Sequence, residues 1–169
     1  SLLRIVTDQL ISLKAGEAIW RRIEDRIYPF EPDTVLSITI EQLRALGLSN
    51  AKAQTFIASA HAARNGFLAD GVLERMSDAD AASSLSSIRG IGPWTADIYL
   101  LTAMGRANAW PAGDLALQVA AQDVLQLQHR PSQSDMQRIA QAWEPVRSAA
   151  ARLLWSHYRD LKGMSQAII

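Results

Sequence analysis

The feature that most limits how this chain can fold is the spacing of its apolar residues, which recur every three to four positions and nowhere alternate in the manner of a strand. Between Leu2 and Ile27 the helical spacing is carried by Leu2, Ile5, Val6, Leu10, Leu13, Ile19, Ile23 and Ile27, with an interruption at Gln9-Leu10-Ile11-Ser12. Pro29 and Pro32 then punctuate the chain, and Asp33 or Thr34 can start a short helix. Thr39-Ile40-Glu41-Gln42 has the offset of a capping box and leads into a helix closed by Gly47. Ser49 caps a longer helix through Arg64, stopped by Asn65-Gly66, and Asp78 or Asp80 opens another to about Ser87. Further helices are expected over Trp94 to Met104, Asp114 to Leu127, Asp135 to Trp143, and from beyond Pro145 to about Leu161. The reading is all-α, with eight to ten helices.

Composition narrows the chemistry. No cysteine is present, which excludes disulfides, a Cys-ligated iron-sulfur cluster and a thiolate zinc site, and His61, His129 and His157 are too scattered to suggest a histidine metal centre. No uncharged apolar run approaches the ~20 residues that cross a bilayer. The chain starts inside a periodic apolar pattern at Ser1-Leu2-Leu3, so it reads as the interior of a longer product rather than a signal peptide. Formal net charge is +0, Lys+Arg 17 against Asp+Glu 17, which by itself offers no footprint of a nucleic-acid binder. The distribution is uneven, however: basic residues dominate from Arg130 to Lys162 and acidic ones from Asp70 to Asp97, so one face can be positive on a neutral chain.

The most informative local stretch is Leu85-Ser86-Ser87-Ile88-Arg89-Gly90-Ile91-Gly92-Pro93-Trp94-Thr95-Ala96. Two glycines two apart between helices permit backbone conformations closed to other residues and let a ligand approach the main chain. Pro93 suits a first helical position, and the amides around it lie at a helix N-terminus, which favours phosphate. Such a hairpin can hold a sugar-phosphate backbone without reading sequence. It has neither the Lys-Ser/Thr of a P-loop nor the preceding strand of a dinucleotide fold. An ordinary helix-helix turn is the plain alternative.

Farther along, Asp114 stands between a Pro/Gly loop and an apolar helix, where its simplest role is to cap that helix. A carboxylate on a loop able to fold back over the hairpin could also face a cleft aligned with DNA.

Four blocks together resemble one family: Gly90-Ile91-Gly92-Pro93-Trp94-Thr95-Ala96, Trp110-Pro111-Ala112-Gly113-Asp114-Leu115-Ala116, Gln9-Leu10-Ile11-Ser12-Leu13-Lys14-Ala15 and Trp143-Glu144-Pro145-Val146-Arg147-Ser148. They are similar to the helix-hairpin-helix/Gly-Pro-Asp DNA glycosylase superfamily, and within it the DNA-3-methyladenine glycosylase II group. The resemblance implies a two-lobed helix-hairpin-helix glycosylase core over residues 1–169. Its lobe A would comprise about 1–30 plus 114–169, and lobe B about 33–104 with the hairpin at 85–96, packed across a cleft.

The same resemblance assigns roles. Asp114 would be the catalytic carboxylate, and Trp94, Trp143, Ile98 and Tyr99 would line the base pocket, with aromatic faces stacking on a flipped, positively charged base. Ile98 stands where well-known members have an aromatic, which bears on the choice of lesion. Leu10 would wedge into the duplex beside Gln9, offsetting the cost of unstacking. Gly90, Gly92 and Thr95 would hold phosphate. Turns of this family often bind a monovalent cation, sodium or potassium, and the matching main-chain oxygens here are those of Ser86, Ile88 and Ile91. No cofactor is required for the chemistry. Trp94 occupies the position where bifunctional relatives carry a Schiff-base lysine, which implies a monofunctional enzyme without AP-lyase activity.

The implied activity is therefore hydrolysis of alkylated purines of the 3-methyladenine type from double-stranded DNA, the first step of base-excision repair. The expected partner is duplex DNA with a flipped damaged base, bound by a monomer with no obligate protein partner and no membrane, in a bacterial-type cytoplasm. Two other readings stand beside it: a non-catalytic helix-hairpin-helix module that only holds DNA, and a glycosylase for another lesion such as hypoxanthine or uracil. Asp97 is expected to make a structural hydrogen bond to the neighbouring helix, with a second pocket carboxylate as the alternative; Arg147 either packs the final helix, the favoured reading, or reaches Asp or phosphate; and Trp20 and Trp155 are expected to be core residues.

Overall fold

A computed structural model describes residues 1–69 and 71–163. Among these residues there are ten α-helices, one 3-10 turn and no strand. No helix is long and apolar enough to cross a membrane. The chain divides into two compact units, Ser1–Ala96 and Asp97–Ile169.

The first unit contains α1 (Leu2–Asp8), α2 (Leu13–Arg26), α3 (Pro32–Leu36), α4 (Ile40–Ala45), α5 (Asn50–Arg64), α6 (Asp78–Ser86) and the start of α7 (Pro93–Thr102). Its starts are set by hydroxyl caps. Ser12, Thr39, Ser49 and Ser77 each accept the backbone N–H three residues on, and Thr39 with Gln42 completes the expected capping box. Helix α5 is the hub, packed by α1, α3 and α4, which with it contribute the buried Val6, Val35, Leu43 and Phe56. Each such side chain contributes about 1.5–3 kcal/mol by leaving water.

The second unit holds the rest of α7, a long loop, α8 (Leu115–Val124), α9 (Gln133–Ala140), the 3-10 turn Gln141–Trp143 and α10 (Arg147–Leu161). Helix α8 packs on α10. Fully buried positions of these two helices include Ala120, Ala121 and Ala151, whose small side chains let helices approach closely, with Leu117 filling space beside them.

Several expected boundaries move. The segment from Leu2 to Ile27 is two helices, because residues 9–12 leave helical geometry. The helix opened by Asp78 is capped by Ser77, and α9 starts at Gln133 behind a Ser132–Asp135 capping box, two residues before the Asp135 start. Packing of α1 on α5 is what joins the N-terminal helices to the middle of the chain.

Candidate nucleic-acid interface and carboxylate site

In the first unit, α6 and α7 form the two arms of the hairpin. Leu85, Ile88 and Ile91 are buried beneath it, and the turn closes through an Ile91 N–H donated to the Ile88 carbonyl at 3.0 Å. Gly90 has φ +87°, and a Cβ there would stand 1.8 Å from Thr55 Oγ1 on α5, so a side chain is barred both by conformation and by space. Gly92 is different. A Cβ on it would meet nothing within 4 Å, so its main chain lies open to a ligand while its carbonyl accepts the Ala96 N–H at 3.0 Å. Among the described residues, the amides of Gly90 and Gly92 donate no backbone hydrogen bond. A shallow groove lined by His61, Asn65, Phe67, Ser87 and Arg89 runs beside the turn.

The carbonyls of Ser86 and Ile91 accept no backbone N–H among the described residues outside regular helix bonding, and that of Ile88 accepts one. Each carbonyl oxygen has two lone pairs, so this donor set retains the capacity to coordinate a hard monovalent ion.

Two other residues expected at the DNA surface are bonded to each other. Gln9 Nε2 donates to Thr95 Oγ1 at 2.7 Å, and Thr95 is only 2% exposed, so its hydroxyl ties the hairpin to the turn after α1. On that turn Leu10 adopts φ 56°, a conformation uncommon for a bulky residue, and its side chain is fully exposed at 105%. Lys52 on α5 supports the turn from below: its Nζ donates to the Thr7 carbonyl at 2.8 Å and to the Gln9 carbonyl at 2.6 Å. Burial holds this lysine below its ordinary pKa, opposed by the charge of Asp8. Nothing in the sequence marked Lys52 for this role, since a lysine that binds carbonyls leaves no pattern at the positions it binds.

In the second unit, Asp114 is the N-cap of α8. Its Oδ1 accepts the Leu117 N–H at 3.0 Å, and the same oxygen accepts Trp155 Nε1–H at 3.1 Å. The capping role anticipated from sequence is therefore present, and Trp155, expected only to fill the core, is both 7% exposed and a donor to the carboxylate. Hydrogen bonds to a charged group are worth about 1.5–3 kcal/mol and fix its direction. No local signal could have revealed the pair, whose members sit on different helices far apart in sequence.

The loop before Asp114 is held by the start of α10. Ser148 Oγ lies 2.6 Å from the Arg106 carbonyl and 3.0 Å from that of Ala109, and Arg147 Nε donates to the Asn108 carbonyl and to its Oδ1 at 3.1 and 2.8 Å. Arg147 also pairs with Glu144 at 3.2 Å. Trp110 is buried, donates its indole N–H to the Met136 carbonyl at 3.2 Å, and meets Trp143 edge to face with centroids 5.4 Å apart. Trp94, Tyr99 and Trp143 are half-buried, and Ile98 is buried. Asp97 is mostly buried and its carboxyl is pushed up to about 6 by desolvation, opposed by the Arg147 charge. The structural hydrogen bond expected of it is not found among the described contacts.

The expected family resemblance is met by comparison with known proteins. The profile of the HhH-GPD superfamily base excision DNA repair proteins matches residues 3–145. The Bacillus subtilis protein YfjP, which carries the name of a DNA-3-methyladenine glycosylase, is 36% identical over 128 residues, covering 76% of this chain and 44% of its own length. The chain thus spans less than half of that relative. A crystal structure of a Bacillus halodurans DNA-3-methyladenine glycosidase superposes with a TM-score of 0.82 at 25% identity, covering 96% of this chain and 76% of the other. The Schizosaccharomyces pombe 3-methyladenine DNA glycosylase solved with abasic DNA shares the fold at a TM-score of 0.82 and 24% identity, covering 98% of this chain and 82% of that one. With an all-helical architecture, a glycine hairpin and a capped aspartate in the matching order, the chain belongs to the HhH-GPD superfamily of base excision DNA repair proteins.

Proposed function

We propose that the chain is a monofunctional DNA glycosylase that hydrolyses the N-glycosidic bond of alkylated purines in double-stranded DNA, with Asp114 as its catalytic carboxylate. The observation that carries this reading is the two-donor hold on Asp114 Oδ1 by Leu117 N–H and Trp155 Nε1–H, which fixes one edge of a carboxylate behind the Trp110–Gly113 loop. A fixed carboxylate is suited to the reaction. As the bond from the sugar to the base breaks, positive charge grows on the sugar, and a preorganised anion stabilises it without having to reorient. Water adds to the sugar, its proton passes to the carboxylate or to bulk water, and the free base leaves an abasic site. An alkylated purine already carries positive charge, so it departs without strong acid assistance.

The remaining roles follow on the same footing. The open main chain at Gly92 and the amides of the hairpin would hold phosphate, and Leu10 would fill the space vacated by a flipped nucleotide. Trp94, Ile98, Tyr99 and Trp143 are assigned to the base pocket by the family resemblance alone. The carbonyls of Ser86, Ile88 and Ile91 would hold a sodium or potassium ion, whose charge would draw a phosphate to the turn. Trp94 in place of a lysine supports hydrolysis without strand cleavage.

The test is release of free methylated purines from alkylated duplex DNA by this chain and by Asp114→Asn. Release that vanishes in the variant while DNA binding persists is the expected result. No release by the folded wild-type chain, with binding intact, favours a module that only holds DNA, and hypoxanthine- and uracil-containing duplexes then distinguish a different lesion.

A further inference from the structure

We propose that Lys52 is a positioning residue that preorganises the Leu10 turn for insertion into the duplex; this rests on the glycosylase reading. The turn has an unusual combination of properties. Leu10 sits in the left-handed region at φ 56°, exposes its entire side chain, and is followed by the half-exposed Ile11 and Leu13. A strained backbone persists only where its surroundings over-determine it, and an exposed leucine supplies no packing of its own to do so. The determining contacts are polar and come from outside the turn. Lys52 reaches from α5 and binds the carbonyls of Thr7 and Gln9, two of the acceptors that the end of α1 would otherwise leave to solvent. Gln9 is fixed a second time by its amide on Thr95, and Ser12 closes the far side by accepting the Ala15 N–H at 3.2 Å.

The geometry has a functional consequence. A wedge held in place before binding does not have to be ordered as it enters DNA, so its ordering cost is not subtracted from the stacking it restores. Lys52 bonds main chain and not the Leu10 side chain, so removing it leaves the leucine present but unheld. Lys52 and Leu10 therefore act on one step, and their effects should not add.

Two readouts test this on the full chain, with Lys52→Met, Lys52→Arg, Leu10→Ala and the Leu10→Ala/Lys52→Met double variant. The first is base release from an alkylated purine opposite its normal partner and opposite an abasic site, where no partner remains to be separated. Lys52→Met should lose about tenfold on the paired lesion and about twofold or less on the unpaired one, Lys52→Arg should restore most of the loss, and the double variant should be no slower than Leu10→Ala. The second needs no chemistry: fluorescence of 2-aminopurine opposite an abasic-site analogue should rise on binding of wild type and should rise much less with Lys52→Met. Equal losses on both lesions, or additive losses in the double variant, overturn the proposal and leave Lys52 a folding residue. Wild-type protein that unstacks 2-aminopurine in a Lys52-dependent way but releases no base sustains the positioning role and sinks the glycosylase reading. Wild-type release with a Lys52→Met protein that matches wild type in both readouts does the reverse.

Discussion

Two irregular segments of this chain share one kind of polar support and differ in how much apolar surface they bury. The turn at residues 9–12 places its central side chain wholly in solvent and is fixed by Lys52, whose Nζ donates to the Thr7 and Gln9 carbonyls, and by its own Gln9 amide, which donates to the Thr95 hydroxyl. The loop ahead of Asp114 buries its own centre, with Ala109, Trp110, Pro111 and Ala112 all removed from water, and Ser148 and Arg147 then fasten its carbonyls. The first is a projecting element with no core of its own. The second is a small core that leaves its terminal carboxylate in place. Irregular backbone is thus stabilised in both by side chains of a distant helix satisfying carbonyls, but only the loop adds apolar burial, which makes it the more robust of the two.

The largest expected effect lies at the end of the loop. Asp114→Asn should reduce base release by on the order of 100-fold or more, a loss of the size seen when one preorganised electrostatic group is removed. Its melting temperature should stay within a few degrees, because asparagine caps helices about as well as aspartate. A variant that loses activity only in proportion to lost fold would collapse the distinction between carboxylate and cap.

Next comes the projecting turn. Gly16 on α2 is buried, and a Cβ there would lie 2.1 Å from Asp8 Oδ1 and 3.7 Å from Ile11 Cδ1. Gly16→Ala should therefore cost about 1–3 kcal/mol in chemical denaturation, an overpacking penalty. It should also disturb the turn more than the Asp114 loop, which amide hydrogen exchange would read directly. Protection lost first in the loop would reverse the ranking of the two segments.

Smaller again, Ser148→Ala removes a hydroxyl hydrogen bonded near the Arg106 and Ala109 carbonyls and should destabilise by about 1–2 kcal/mol, with little change in the Leu10 turn. The smallest effect is a pH slope. Asp97 is pushed up to about 6 by burial, so between its unfolded value near 4 and about 6 the folded state binds more protons than the unfolded state. Stability contributed by this group is therefore present at low pH and falls as pH rises through that window, levelling above it. Asp97→Asn should flatten this part of the stability profile, and an unchanged slope would remove Asp97 as its source.

The parts that sequence displayed were those governed by near neighbours. Thr39, Ser49 and Pro93 announced helix starts because a cap and the helix it serves are adjacent. The glycines at 90 and 92 announced a tight turn, though only the structure separates their duties: Gly90 is required by Thr55, whereas Gly92 leaves space. The break at residues 9–12 was visible as an interruption, but a left-handed leucine was not, because leucine is among the residues least suited to that region. Trp155 on Asp114 and Lys52 on two carbonyls were hidden for a common reason. Each contact joins helices that meet only after folding, and neither imposes a residue type on its partner's neighbours.

Because Lys52 grips main chain alone, the shape of the projecting turn is independent of what it carries at its tip. Position 10 is in effect a socket: leucine could be exchanged for a longer, a flatter or an aromatic side chain without dismantling the support beneath it. The element that meets the gap in the duplex is therefore free to diverge or to be redesigned separately from the residues that hold it up.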